Sequence, residues 1–145
     1  MSAPPAGEAR RQARAWVVAL AGIADVVSVL ALSLLSPSAR DGGPAGAMSA
    51  AWPFLASLAV GWLVARAWRR PTSLWPTGLV VWGITWALGV VLRVTMTNDT
   101  VPAFNLVAFG VLAATILGWR AVVALRDVLS PPERRRRAAR LSGRR

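Results

Sequence analysis

Residues 16–35 read WVVALAGIADVVSVLALSLL, a run of apolar side chains that contains a single charge, Asp25. About 20 helical residues cross the hydrocarbon core of a bilayer. Because lipid offers no hydrogen bonds, the backbone of such a run must satisfy its own polar groups by forming a helix. The run is also longer than the apolar core of a signal peptide. It therefore predicts a retained membrane-spanning helix with an acidic residue near its middle.

Three more apolar stretches of similar length follow, and the sequence predicts an all-α fold, an integral membrane four-helix bundle. The predicted spans cover residues 15–35, 48–68, 76–95 and 101–120. The segment 36–47, SPSARDGGPAGA, is expected to form a loop. We expect a disordered basic N-terminus over residues 1–14. Residues 121–145 should form a cytoplasmic helical extension followed by a disordered Arg-rich tail.

The composition excludes most catalytic and cofactor chemistry. Hydrophobic residues make up 55% of the 145-residue chain, its net charge is +11, and all 17 basic residues are arginine. The chain contains no Lys, His, Cys or Tyr. It therefore has no thiolate or imidazole ligand for zinc or haem, no lysine for a Schiff base, and no Ser-His or Cys-His pair. We predict a protein that is not an enzyme and that binds no cofactor or metal.

The arginines that flank the spans are distributed asymmetrically. Most precede span one, join spans two and three, or follow span four: Arg10, Arg11, Arg14, Arg66, Arg69, Arg70, Arg120, Arg126 and the tail. The other two connections hold only Arg40, next to Asp41, and Asp99, which with Thr100 is a candidate N-cap of span four. Because positive residues favour the cytoplasmic side, we predict a multi-pass membrane protein with both termini in the cytoplasm, N-in/C-in.

Small residues recur at four-residue spacing in three of the spans, and in lipid such ridges let helices approach closely. The ridges comprise Ser57, Gly61 and Ala65 in span two, Gly83 and Ala87 in span three, and Gly110, Ala114 and Gly118 in span four. They favour a tight bundle, a homo-oligomer or contact with a partner membrane protein. The spacing alone does not distinguish these three.

Two charges lie inside the predicted spans, and intramembrane charges usually face a partner or a cavity. Asp25 lies near the middle of span one, whereas Arg93 lies near the outer end of span three. Arg93 either extends outward to Asp99 or lipid phosphate, or turns inward and balances Asp25. The inward alternative predicts a polar site between the helices. Its members would be Asp25, Arg93, Asn105, Ser57 and Thr85.

The face of span three that carries Arg93 is aromatic. Trp82, Trp86, Gly89 and Arg93 share this face by their spacing. The face either packs against lipid or a neighbouring helix, or lines a pocket beneath the cation. If Arg93 turns inward, we expect this face to pack against spans one and four.

The basic tail RRRRAARLSGRR, residues 134–145, is interpreted as a positive-inside anchor. Its arginines are also candidates for contact with the headgroups of anionic lipids in the bilayer. These candidates are Arg134, Arg135, Arg136, Arg137 and Arg140. Nucleic acid is an unlikely partner, because the tail has no interleaved aromatic residues and no recognisable binding fold.

An ordered set of short motifs runs through the spans. It comprises AWPFL (51–55), GW (61–62), GLVVW (78–82), GVVLR (89–93), AFNLVA (103–108) and LGWR (117–120). In this order the motifs resemble the family called domain of unknown function 3054, over roughly residues 16–120. The resemblance implies a four-helix integral membrane protein of the bacterial inner (plasma) membrane, without an assigned activity. It also implies a G-R-x-x-H-like element after span one, where this chain reads SLLSPSAR (33–40) without histidine.

Two functions are compatible with these features. The leading interpretation is a transporter-like or accessory membrane protein with a polar pocket between its helices. The alternative is a structural or scaffold subunit that recruits a partner through its small-residue helix faces. We expect the first if the polar residues converge in space and the second if they do not.

Overall fold

The computed structural model describes residues 6–97 and 102–129, and within these residues the protein is helical and has no β-strand. The helices are α1 (Ala6–Leu34), α2 (Pro37–Ala65), α3 (Leu79–Thr97), α4 (Pro102–Leu112) and α5 (Gly118–Leu129). A 3₁₀ turn (Ala67–Arg69) and a π-helical turn (Leu74–Gly78) connect α2 to α3, and a second π-helical turn (Ala113–Leu117) joins α4 to α5. The all-α prediction is confirmed.

Four helical stretches of the described chain are long and apolar enough to cross a membrane. They are Arg11–Leu34, Pro37–Ala65, Leu74–Met96 and Pro102–Arg126. The fourth combines α4, the π-helical turn and most of α5. The predicted number of membrane-length helices is confirmed for the described residues, and the fourth extends beyond Arg120, the end that the sequence predicts for it.

Helix α1 begins at Ala6, so residues 6–14 are helical where a disordered segment was predicted. The reason is local, since AGEARRQARA consists mainly of residues with high helix propensity. Glu8 lies in the first turn, where a negative charge interacts favourably with the helix dipole. Residues 1–5 lie outside the described part of the chain.

Helix α2 also begins earlier than predicted, because much of the segment 36–47 is helical rather than a loop. The Ser36 hydroxyl accepts a hydrogen bond from the backbone N–H of Ala39 at 3.2 Å and so caps the helix N-terminus. Pro37 occupies the first turn, where proline is tolerated. The helical path then breaks at Gly43, whose φ of 56° and ψ of −139° favour glycine. The Ser-Pro pair thus favours a helix start strongly enough that the segment is largely helical, although the glycines that follow disfavour helix.

The centre of the bundle is the contact between α2 and α3. A Cβ added at Gly61 would lie 3.2 Å from the Val81 carbonyl oxygen, so the small-residue ridge of α2 is already filled by α3. At Gly89 an added Cβ would overlap the Phe54 ring. Gly89 therefore packs against span two, not against span one or four as predicted. Around this contact lie the buried residues Val29, Leu32, Leu58, Phe104, Ala108, Leu112 and Ile116.

Candidate functional site

Asp25 is the acidic centre of the bundle, and none of its surface is exposed. Its Oδ1 accepts hydrogen bonds from Arg120 Nη1 at 2.7 Å and from Trp119 Nε1 at 3.0 Å. Its Oδ2 accepts from Arg120 Nη2 at 2.6 Å and from Trp62 Nε1 at 2.9 Å. A carboxylate offers about four lone-pair sites, so these donors saturate it. The ion pair is bidentate, the strongest geometry for this type of contact.

Arg120 is equally buried and is held from its own helix as well as by Asp25. Its Nη1 also donates to the carbonyl oxygen of Ile116 at 2.8 Å, and its guanidinium carbon lies 4.4 Å from the centre of the Trp119 ring. Ile116 belongs to the π-helical turn that precedes α5. Such turns change the helical register, and here the register directs both Trp119 and Arg120 to one carboxylate. The guanidinium is thus held by contacts from its own helix as well as by Asp25.

The partner of Asp25 is therefore Arg120, and the predicted pairing with Arg93 is wrong. Arg120 was interpreted as a residue that ends span four, like the other flanking arginines. Five apolar residues, AVVAL at 121–125, continue the helix after it, and the membrane-length stretch reaches Arg126. That continuation indicates that Arg120 lies within the span, where a charge requires a partner.

Arg93 occupies a separate buried position, with 3% of its surface exposed. Its guanidinium carbon lies 4.4 Å from the centre of the Phe104 ring on α4. This distance is within the range of a cation–π interaction. Arg93 thus packs against α4, and Asp25 does not provide this contact. The predicted alternative contact with Asp99 lies outside the described residues.

The remaining members of the predicted polar site do not join Asp25. The Ser57 hydroxyl donates to the carbonyl oxygen of Pro53 at 2.7 Å, which satisfies it within its own helix. Thr85 is buried, and its hydroxyl has no hydrogen-bond partner among the described residues. The backbone carbonyl of Asn105 accepts from Trp86 Nε1 at 3.1 Å. None of the three donates to Asp25 in the described part of the chain, so the five predicted residues do not form one site around its carboxylate.

The aromatic face of α3 packs against α4 instead of lining a pocket. The rings of Trp82 and Trp86 meet Phe109 edge to face, with ring centres 4.8 and 5.1 Å apart. The indole of Trp82 also donates to the Phe109 carbonyl oxygen at 3.3 Å. Each ring therefore has both an apolar neighbour and an acceptor for its N–H group. The packing interpretation of this face is the one that the structure shows.

Trp62 and Trp119 belong to the site, although sequence reasoning did not include them. A buried indole N–H usually requires a hydrogen-bond acceptor, and Asp25 is the one carboxylate inside the predicted spans. The sequence alone could therefore have indicated that buried tryptophans donate hydrogen bonds to Asp25. The choice of these two tryptophans over Trp82 and Trp86 depends on helix packing.

Some predicted residues lie outside the described part of the chain. They are the N-cap candidates Asp99 and Thr100 and the lipid-contact candidates Arg134, Arg135, Arg136, Arg137 and Arg140. Their predicted roles remain predictions.

The site and the fold together define a class of protein, a bundle of four membrane-length helices that encloses an Asp–Arg ion pair. The family described as "Protein of unknown function (DUF3054)" matches residues 22–123, and the chain belongs to this family. The match includes Asp25, Arg93 and Arg120, and it confirms the resemblance seen in the sequence motifs. Comparison with curated proteins and with solved structures found no match.

Proposed function

We propose that this protein is a non-enzymatic scaffold or accessory subunit of the bacterial plasma membrane that holds another membrane helix against its fourth span. Both termini lie in the cytoplasm in this proposal. The observation that carries it is a helix face left open on α4 and α5, while the matching face of α2 is filled within the chain. The saturated carboxylate of Asp25 supports the same conclusion.

The open face consists of the small-residue ridge of span four. A Cβ added at Gly110 or Gly118 would meet no atom within 4 Å other than its own helix and chain neighbours. Ala114, between them, is exposed. In lipid, helices associate through close contact along such ridges, because lipid tails are as apolar as leucine and provide no hydrophobic driving force. A second helix, from another copy of this chain or from a partner protein, would fill this face as α3 fills the ridge around Gly61.

The buried ion pair is better suited to holding the bundle together than to carrying a substrate. A transported proton or cation needs an oxygen with a lone pair to spare, and all four positions of the Asp25 carboxylate already accept donors. The donors come from α2 and α5, whereas Asp25 lies on α1. The centre therefore joins three helices, as a scaffold requires, and we favour this role over the transporter-like one.

The proposed membrane topology is supported by a contact between two of the arginine-rich flanks. Arg14 Nη2 on α1 donates to the carbonyl oxygen of Arg69, in the connection between α2 and α3, at 3.1 Å. Two flanks that were predicted to be cytoplasmic thus lie at one end of the bundle. Reporter fusions at residue 145 and within residues 36–47 test the orientation. We expect a cytoplasmic signal at 145 and an external one at 36–47, and the reverse pattern would contradict the proposal.

Cysteine cross-linking tests the open face. The chain contains no cysteine, so it can cross-link only through the cysteine that is introduced. We expect Ala114→Cys to give a cross-linked product in membranes, at twice the mass of the chain for a second copy or at another mass for a partner. Ala56→Cys, at an exposed position on α2, is the matched control and should give much less product. Adding Gly110→Leu should abolish the Ala114 product, because the larger side chain prevents close approach. Equal cross-linking at Ala56 and Ala114 would exclude the proposed face.

A further inference from the structure

The arginine-rich end of the bundle contains a cavity of about 500 Å³. Its lining comes from α1, from the end of α2 and from the connection to α3, and comprises Arg14, Ala65, Arg66, Arg69, Arg70, Pro76 and Thr77. The cavity size falls within the range of small-molecule sites, about 300–1,000 Å³. The arginines thus surround a common space instead of projecting separately from the surface.

The backbone arranges the arginines around this space. Arg66 has a left-handed conformation, with φ and ψ of 47°, and its N–H group donates to the carbonyls that end α2. The chain turns there and brings Arg69 and Arg70 back towards α1, where Arg14 donates to the Arg69 carbonyl oxygen at 3.1 Å. Thr77 is 5% exposed and forms part of the wall.

The charge of the lining favours an anion. Four of the lining residues are arginines and none is acidic. Arginine stays protonated in proteins, so the cluster cannot reduce its repulsion by losing a proton. The planar guanidinium pairs with phosphate through two parallel hydrogen bonds. A phosphate-bearing ligand therefore matches both the charge and the geometry of the lining.

An apolar groove next to the arginine cluster indicates that the phosphate belongs to a lipid. The 3₁₀ turn Ala67–Arg69 contributes Arg69 to the cavity and Trp68 to a groove of about 460 Å³ between α1 and α2. The groove is lined by Gly22, Val26, Leu55, Leu58, Ala59, Trp62, Leu63 and Trp68. Trp16 and Trp75 are 63% and 75% exposed, as expected of residues at the level of lipid headgroups.

We propose that this end of the protein is a binding site for an anionic phospholipid, with the headgroup phosphate among Arg14, Arg66, Arg69 and Arg70 and an acyl chain in the adjoining groove. The inference goes beyond the scaffold role and does not depend on it, since it requires only that the helices lie in a bilayer. It also differs from lipid contact by the Arg-rich tail, because the pocket belongs to the folded bundle.

Titration of the detergent-solubilised full chain with phosphatidylglycerol, phosphatidylcholine and inorganic phosphate tests this site. We expect phosphatidylglycerol to bind more tightly than either of the others. The triple variant Arg66→Gln, Arg69→Gln, Arg70→Gln should weaken phosphatidylglycerol binding about a hundredfold, since each basic residue near a membrane surface contributes about a fivefold effect. Arg134→Gln, Arg135→Gln, Arg136→Gln, which removes the same charge from the tail, is the matched control and should weaken binding much less than the pocket variant, because it leaves the pocket intact.

Ala59→Trp separates the two sources of phosphate, because it fills the groove without touching an arginine. It should weaken phosphatidylglycerol binding and leave inorganic phosphate binding unchanged. Inorganic phosphate that binds as tightly as phosphatidylglycerol would overturn the lipid assignment. Equal binding of the two lipids, or an equal loss in the tail variant, would overturn the pocket itself. If the triple variant loses helicity, Arg70→Gln alone should still weaken binding about fivefold.

Discussion

Among the described residues, two arginines are almost completely buried, and their neighbours differ. Arg120 forms a bidentate ion pair with Asp25, whose carboxylate also accepts two indole N–H groups. Arg93 lies over the ring of Phe104 on α4. At Arg120 a full opposite charge compensates the guanidinium, and at Arg93 an aromatic ring contributes to its stabilisation.

This difference shows that helix register, not depth alone, decides which charges meet. Arg93 and Asp25 are the two charges that the hydropathy pattern places inside the spans, and Arg120 is placed at a boundary. The fourth helix continues through Arg120, however, and a π-helical turn at Ala113–Leu117 sets the direction of the residues that follow. The ion pair therefore joins α1 to α5, and Arg93 packs against α4.

Removal of Arg120 should have the largest effect on stability. Arg120→Leu leaves the Asp25 carboxylate buried without its counter-charge, which costs about 3–5 kcal/mol. The free energy of unfolding in mixed micelles, followed by circular dichroism, measures this loss. Arg11→Leu removes an exposed arginine on α1 and should change the free energy by no more than about 0.5 kcal/mol. Similar losses in the two variants would show that the ion pair is not a stabilising centre.

The two indole donors should matter less than the ion pair. Trp62→Phe or Trp119→Phe keeps a six-membered aromatic ring but removes the indole N–H and with it one hydrogen bond to the carboxylate, worth about 1.5–3 kcal/mol. The same unfolding assay applies, with Trp52→Phe, at a position 43% exposed, as the control. If the control loses as much stability as the two donor variants, the effect comes from ring packing and not from the hydrogen bonds.

The contact between Arg93 and Phe104 should be the weakest of the three. A double-mutant cycle with Arg93→Met and Phe104→Leu isolates the interaction of the cation with the ring. We expect a coupling energy of about 0.5–2 kcal/mol, the range of cation–π contacts from exposed to desolvated sites. A coupling as large as that between Asp25 and Arg120 would remove the distinction between the two buried arginines.

Hydropathy and the arginine distribution were sufficient to predict the class of fold, because long apolar runs in lipid satisfy their own backbone hydrogen bonds by forming helices. They also identified Asp25 as a central residue. Arg120 was missed because a charge next to a tryptophan resembles a membrane boundary, and only the apolar residues after it indicate otherwise. Ser36 followed by Pro37 is also a pattern typical of a helix N-terminus, from which the start of α2 could have been predicted. The π-helical turn and the choice of Trp62 and Trp119 as donors arise from packing, which single-sequence periodicity does not contain.

The pairing of Asp25 is tested most directly by two double-mutant cycles that share the variant Asp25→Leu. Combined with Arg120→Leu, it should recover much of the stability lost in either single variant, with a coupling energy of about 2–3 kcal/mol. Combined with Arg93→Leu, it should be additive within about 0.5 kcal/mol, because the two residues do not share a contact. A larger coupling with Arg93 than with Arg120 would contradict the ion pair on which this account of the bundle rests.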